Sequence, residues 1–312
     1  MTKVINKSMI DLLEEWKIGT VIVMKKSHMV DEWYRHGEDE VGPLYSCTKS
    51  VLSALIGIAI DQGELQSLDQ KMSDILGCSE IVGAEGDTIT IKHLLTMTPG
   101  FDWPDFDKPY KALRASQDPI TFALKQPIIH DPGQAYTYNS GGSHLLSAIL
   151  TKATGMSALQ YGKKHLFEPL QFRAAKWSER NGISEGGTGL SLCGQDLAKF
   201  GALFIQEGVW EGQRIISGDW IKDSTRLHHR GLMNYEPPIY GGYGYHWWCS
   251  PFEHNEMADC YFAFGHGGQY LLMIPEFDLS IVIRKQITKR NDAIYSRKFI
   301  FEHLVPALLS DQ

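Results

Sequence analysis

Ser46-Cys47-Thr48-Lys49-Ser50-Val51-Leu52-Ser53-Ala54-Leu55-Ile56-Gly57-Ile58-Ala59-Ile60-Asp61-Gln62-Gly63 is apolar on nearly every side of a helical wheel and is stopped by a glycine. A surface helix shows one apolar stripe, so a segment apolar all round belongs in the middle of a domain, and the glycine supplies its C-terminal stop. Working outward, the N-terminal side reads as a helix over about Val4 to Trp16. Two strands follow, Gly19 to Met24 and Met29 to Tyr34, from their β-branched or alternating residues. The far end of the chain returns to strands at Tyr261 to Phe264, Gln269 to Ile274 and Leu279 to Ile283, then closes on a helix from about Asp292 to Leu309. Strands at both chain ends predict one antiparallel sheet assembled from the two termini and flanked by helices, an α+β fold. Between about Asp69 and Ser184 helical patterns dominate, broken by Thr98-Pro99-Gly100, Trp103-Pro104 and His130-Asp131-Pro132-Gly133. The expected organisation is therefore a discontinuous sheet domain, residues 1–68 and 185–312, carrying a mainly helical domain at 69–184. No internal repeat is visible.

Composition narrows the function. With 312 residues, 43% hydrophobic and 21% charged, the chain can bury a sizeable core. A formal charge of -7 leaves no basic footprint for nucleic acid. The five cysteines are widely spread, with no C-x-x-C pair, which argues against both a disulfide framework and zinc. Acidic residues interrupt the apolar periodicity of the first helix, so it reads as amphipathic rather than as a signal peptide, and the longest apolar runs fall far short of a membrane span of about 20 residues. A soluble, cytoplasmic protein with no membrane partner is the expectation; oligomeric state is not legible.

Most catalytic signatures are missing. There is no HExxH and no Walker A loop, and Gly187-Thr188-Gly189 fails the dinucleotide fingerprint because Leu192 stands where the third glycine belongs. Tyr138-Asn139-Ser140-Gly141-Gly142 lacks the first glycine of a nucleophile elbow. His228-His229 lies in a polar stretch and reads as solvated surface, as do the loop acids Asp102 and Asp105. What stands out is S-x-x-K at Ser46 and Lys49, which occurs once, at the entry to the buried helix. Three residues apart on a helix, a hydroxyl and an amine share a face. The N-terminal end of the helix favours negative charge on the serine oxygen, and a lysine in a dry pocket can lose its proton near neutral pH and serve as a base. A capping serine with a solvated lysine is the competing reading of the motif alone.

With two further motifs the chain resembles the penicillin-recognising serine hydrolases, which comprise class C β-lactamases, DD-peptidases, family VIII esterases and 6-aminohexanoate-dimer hydrolases. Tyr138-Asn139-Ser140 is similar to the Y-x-N or Y-x-S element of that family, and His266-Gly267-Gly268, followed by Gln269, to its K-T-G or H-x-G element, in the same order. The likeness extends through His93 to Phe101, Leu166 to Leu170 and Gly186 to Leu190, from about residue 40 to 285. The run Tyr240 to Trp248 looks most like the 6-aminohexanoate-dimer hydrolase and esterase branch.

The resemblance implies a β-lactamase/DD-peptidase-like fold and a reaction through an acyl-enzyme on Ser46, with no metal or other cofactor. It implies that Tyr138 relays the proton beside Lys49, the pair titrating together, so no single base is named. Tyr136 is the local competitor, with aromatic packing as its alternative role. The H-G-G segment would present a strand edge to the substrate, its glycines allowing close approach. The backbone N–H groups of Ser46 and Gln269 would form the oxyanion hole. His266 replaces the lysine of the β-lactamases and anchors a substrate carboxylate more weakly, while Ser140 stands where many of them carry asparagine and has shorter reach. Both departures favour a small ester or amide over a β-lactam as substrate. Cys47 reads as buried packing; Trp103, Trp247 and Trp248 fit pocket or core equally. A non-catalytic or slowly deacylating sensor of the same fold is the alternative.

Overall fold

The structure, a computed structural model, describes residues 3–103, 108–288 and 292–310. Asp105 and the Pro104 end of the expected Trp103-Pro104 turn lie outside the described residues, while Asp102 is half-buried.

Eight strands form one antiparallel sheet: β1 (Ile18–Lys25), β2 (His28–Tyr34), β3 (His229–Arg230), β4 (Gly242–Tyr243), β5 (Trp248–Ser250), β6 (Cys260–Gly265), β7 (Gln269–Ile274) and β8 (Leu279–Lys285). Their order is β3-β4-β5-β6-β7-β8-β1-β2, so the two chain termini meet where β8 pairs with β1, Val21 opposite Ile283 and Val23 opposite Ile281. The five strands expected at the ends are present. The short strands β3, β4 and β5 were not anticipated: their glycine and aromatic residues do not alternate, and their pairing rests on neighbours distant in sequence.

The sheet is covered on both faces, which is why its central strands read as nearly continuous apolar runs. Side chains alternate between two cores. Val21, Val23, Leu272 and Ile281 meet Met9 and Leu13 of α1 (Lys7–Glu15), together with Phe299 and Leu304 of the C-terminal helical segments Ala293–Lys298, Phe299–Leu304 and Val305–Ser310. Ile22, Met24, Leu271 and Val282 meet Leu55 of α2 (Thr48–Asp61), Leu146 and Leu150 of α3 (Ser140–Thr154), and Phe200 and Leu203 of α4 (Gly194–Ile205). Every residue of α2 from Thr48 to Ala59 is buried, as its sequence demands. The second core thus runs without a break from the sheet through α2 into α3 and the short helices around it, and the first turns of α2 and α3 face each other inside it.

His228 departs from the solvated surface expected of it. Its side chain is 7% exposed, its ring stacks on Tyr245 at 4.2 Å, and its Nε2 donates to the Asp223 carbonyl at 2.8 Å. A polar stretch of sequence hid a local hydrogen-bond partner five residues back.

Candidate active site

Ser46 lies in a single turn of 3-10 helix, Tyr45–Cys47, that leads into α2. Tyr45 holds a left-handed backbone conformation, φ 49°, costly for a residue with a Cβ and retained where the surroundings fix it. Cys47 is fully buried, its Sγ against the Gln269 carbonyl at 3.6 Å, so it packs as expected and anchors the turn to β7. Lys49 follows one turn after Ser46 and is 1% exposed because α2 is enclosed on all sides. Its Nζ lies 3.2 Å from Ser46 Oγ, 3.2 Å from Ser140 Oγ and 2.8 Å from the Gly187 carbonyl oxygen.

The neighbouring segment is set by a helix cap. Asn139 caps α3, its Oδ1 accepting from the Gly142 N–H at 2.9 Å, an arrangement for which asparagine is among the preferred residues. The cap places Tyr138 at the mouth of the helix and Ser140 in its first turn. The Tyr138 ring stacks on Trp248 at 5.7 Å with 9° between planes, and Lys49 Nζ lies 4.9 Å from its centre. Tyr136 packs edge-on against Tyr243, and its buried hydroxyl has no hydrogen-bond partner among the described residues. Trp247 stacks on Phe200 in the core, whereas Trp248 backs Tyr138. Trp103 packs against the first turn of α3, where a Cβ at Gly141 would lie 2.9 Å from its ring.

His266, Gly267 and Gly268 form the hairpin turn between β6 and β7, closed by the pairing of Gly265 with Gln269 and by the Gly268 N–H donating to the Gly265 carbonyl. The two glycines have φ of 78° and 97°. A Cβ at Gly267 would lie 2.2 Å from Ile287, and one at Gly268 2.4 Å from Ser296. Both turn conformation and close packing, against Ile287 and against Ser296 of the C-terminal helix, require glycine at these two positions. His266 is exposed, its ring edge-on to Tyr45 at 5.7 Å. Gln269 turns its side chain away from Ser46. Its Nε2 donates to the Lys285 carbonyl at 2.8 Å and its Oε1 accepts from the Lys285 N–H at 3.1 Å, extending the β7–β8 ladder by one amide.

Burial sets the electrostatics. Desolvation lowers the Lys49 ammonium to about 7, with only weak opposition from Cys47. Burial also pushes the Tyr138 phenol well above 10, with a hydrogen bond to Ser46 pulling the other way. Burial thus opposes charge on both groups and brings only Lys49 close to neutral pH. The donor count fits both of its states. As an ammonium, Nζ has three hydrogens for its three acceptors; as an amine, it keeps two for Ser140 and Gly187 and turns its lone pair to the Ser46 hydroxyl.

Two participants were not singled out from the sequence. Gly187 supplies the carbonyl that fixes Lys49, and it can do so because its segment has no side chains: a Cβ at Gly186 would lie 2.1 Å from the Ser143 carbonyl oxygen and one at Gly187 3.1 Å from Ser140 Cβ. Its signal was the run Gly186-Gly187-Thr188-Gly189, which the dinucleotide test set aside. His246, with φ 61°, is buried and bridges Ser143 Oγ and the Lys49 carbonyl at 3.3 and 3.2 Å, holding the first turns of α2 and α3 together. A shallow, open cleft lies beside Ser140 and Gly187.

The fold and this juxtaposition define the class, and comparison with known proteins agrees. The chain belongs to the Beta-lactamase family, whose pattern it matches over residues 18–304. It is 25% identical over 294 residues to the 6-aminohexanoate-dimer hydrolase of Paenarthrobacter ureafaciens, covering 86% of this chain and 73% of that one. Among solved structures, a Bacillus anthracis protein described provisionally as a 6-aminohexanoate-dimer hydrolase superposes with a TM-score of 0.79 at 20% identity, covering 97% and 82% of the two chains. The hydrolase EstCE1, described as having promiscuous acyltransferase activity, superposes with a TM-score of 0.76 at 15% identity, covering 96% of each. These superpositions establish the β-lactamase-like α+β fold.

Proposed function

We propose that the chain is a serine hydrolase that cleaves a small ester or linear amide through an acyl-enzyme on Ser46. The observation that carries the reading is the contact of Lys49 Nζ with Ser46 Oγ at 3.2 Å, inside a pocket dry enough to bring the amine to about 7. Lys49 takes the hydroxyl proton as Ser46 Oγ attacks the carbonyl carbon. Tyr138 passes its phenolic proton to the departing nitrogen or oxygen, which leaves as amine or alcohol, and takes the proton held by Lys49 in return, so that both groups end neutral. Water then attacks the acyl-enzyme and gives a proton to Lys49, which returns it to Ser46 Oγ as the C–O bond breaks and the acid is freed. Backbone N–H groups of Ser46 and Gln269 serve as oxyanion donors, an arrangement commonly worth about 3 kcal/mol per donor. The Gln269 side-chain clamp on Lys285 supports that role by fixing the start of β7. Ser140 and His266 are substrate-facing groups, and Gly267 and Gly268 shape the turn that carries His266.

Similarity to the Paenarthrobacter ureafaciens enzyme favours a linear amide over a β-lactam, as do the short hydroxyl of Ser140 and the imidazole at His266. The test is turnover of p-nitrophenyl acetate, a short N-acyl amide and a penicillin by wild type and Ser46→Ala. Wild type should turn over the first two, and Ser46→Ala should lose at least about 10³-fold in kcat. Undiminished turnover by a folded Ser46→Ala protein would overturn the nucleophile. A stoichiometric burst without turnover would favour a slowly deacylating sensor instead.

A further inference from the structure

The cleft beside Ser140 has a built interior. Ser140 and His144 are four apart on α3 and share a face, so the cleft runs from the Lys49 contact along one helical turn. Leu113 and Pro119, both buried, make its apolar wall. Tyr110 closes one side by bonding its hydroxyl to Thr188 Oγ1 at 2.7 Å. His144 is 4% exposed, and its Nδ1 accepts the Gly186 N–H at 3.5 Å, which leaves the ring proton on Nε2. Nε2 has no protein partner among the described residues, and His144 is one of the residues that line the cleft. Burial and Arg180 hold this imidazole down at about 4, so it is a neutral donor at physiological pH.

Two arginines and one acid line the same space. Arg180 is committed: its Nε lies 3.5 Å from Glu185, and its Nη1 donates to the carbonyls of Arg114 and Ser116. Glu185 is neutralised by that pair. Arg114 has no carboxylate partner among the described residues and lies over the Tyr110 ring at 5.9 Å. The wall therefore carries one cation without a carboxylate partner and one N–H donor without a protein acceptor, in a protein whose net charge is -7 and whose overall field repels anions.

We propose that this cleft is a specificity subsite for a short apolar arm of the substrate that ends in a carboxylate, with Arg114 as its cationic partner and His144 Nε2–H as a donor beside it. One helical turn, about 5.4 Å, separates Ser140 from His144, which suits an arm of about three to five carbons, the size of a succinyl to adipyl group. The inference rests on the Ser46 reaction for the placement of the scissile carbonyl and adds the substrate class to it.

The test compares p-nitrophenyl esters of glutaric and adipic acids, with the distal carboxylate free or capped as its methyl ester, against p-nitrophenyl acetate. The free-acid esters should exceed their capped forms in kcat/KM by about tenfold or more, and Arg114→Gln should bring that ratio close to one. Arg114→Glu should reverse it. A wild-type ratio near one, or a ratio that Arg114→Gln leaves unchanged, would overturn the subsite, while acetate turnover kept the Ser46 reading intact. If wild type hydrolyses none of these esters, the Ser46 reading fails, and calorimetry on Ser46→Ala with monomethyl and dimethyl glutarate decides the subsite separately. Tighter binding of the monoanion, lost when Arg114→Gln is added, supports it; equal binding overturns it.

Discussion

At the scale of the residue, the decisive group is Lys49, an amine whose surroundings were chosen against its charge. Its folded-state value lies below that of a solvated lysine, so between about pH 7 and 10.4 the unfolded chain binds the extra proton, and stability from this group rises with pH across that window. Below about pH 7 the buried ammonium is a burden. Lys49→Met is thus expected to abolish turnover yet raise stability by roughly 1–3 kcal/mol at pH 6, with a smaller gain at pH 9. Denaturant unfolding at the two pH values checks this, and a destabilised variant at pH 6 would contradict the account. In the proposed reaction the same group sets the rate: kcat/KM should climb through an apparent pKa near 7, because only the amine would accept the Ser46 proton, and should stay high until the Tyr138 phenol ionises above pH 10. Tyr138→Phe should cost about 10²-fold or more in kcat, whereas Tyr136→Phe, which removes a partnerless hydroxyl, should cost far less. The reverse order would move the relay to Tyr136.

At the scale of the element, Ser46 and Tyr138 were legible because each sits at a helix entry whose own sequence is explicit: the all-apolar α2 and the asparagine-capped α3. Gly187 and His246 were not, since what they do depends on contacts across more than a hundred residues, Gly187 to Lys49 and His246 to Ser143. The glycines of the H-G-G segment also pack against Ile287 and Ser296, contacts that no local pattern announces. Gly268→Ala is accordingly expected to destabilise by about 1–3 kcal/mol, through positive φ and the Ser296 contact. Gln269→Leu should remove the clamp on Lys285 and, if the proposed oxyanion role of its N–H holds, lower kcat more than it raises KM, since a transition-state donor rather than a ground-state contact is loosened. Thermal unfolding and steady-state kinetics respectively check these.

At the scale of the whole molecule, periodicity located the five end strands and their antiparallel union, because the central strands are covered on both faces and buried along nearly their whole length. The short strands β3 to β5 at one end of the sheet escaped, being two or three residues long and specified by the strands beside them. The C-terminal helical segments are joined to the sheet through Lys285 and Asp292, whose side chains are 1% and 2% exposed and 3.7 Å apart. Asp292 also accepts from the Thr288 hydroxyl at 2.7 Å. Because this helix backs the Gly267-Gly268 turn, Asp292→Ala should destabilise the protein by about 3–5 kcal/mol, an uncompensated buried charge being left behind. An unchanged melting temperature would show that the pair does not join helix to sheet. Among the described residues no group of three His, Cys, Asp or Glu is placed to hold a metal ion, and no helix is long and apolar enough to cross a membrane. The proposed reaction draws only on groups of the chain, so EDTA should leave the rate unchanged.

The central claim, that burial of Lys49 makes Ser46 a nucleophile, is tested most directly by the intact mass of the protein after incubation with a serine-reactive fluorophosphonate. Wild type should gain one adduct at pH 8, more slowly at pH 6, and neither Ser46→Ala nor Lys49→Met should react. Labelling of a folded Ser46→Ala protein to the same extent, or of Lys49→Met at the wild-type rate, would contradict it.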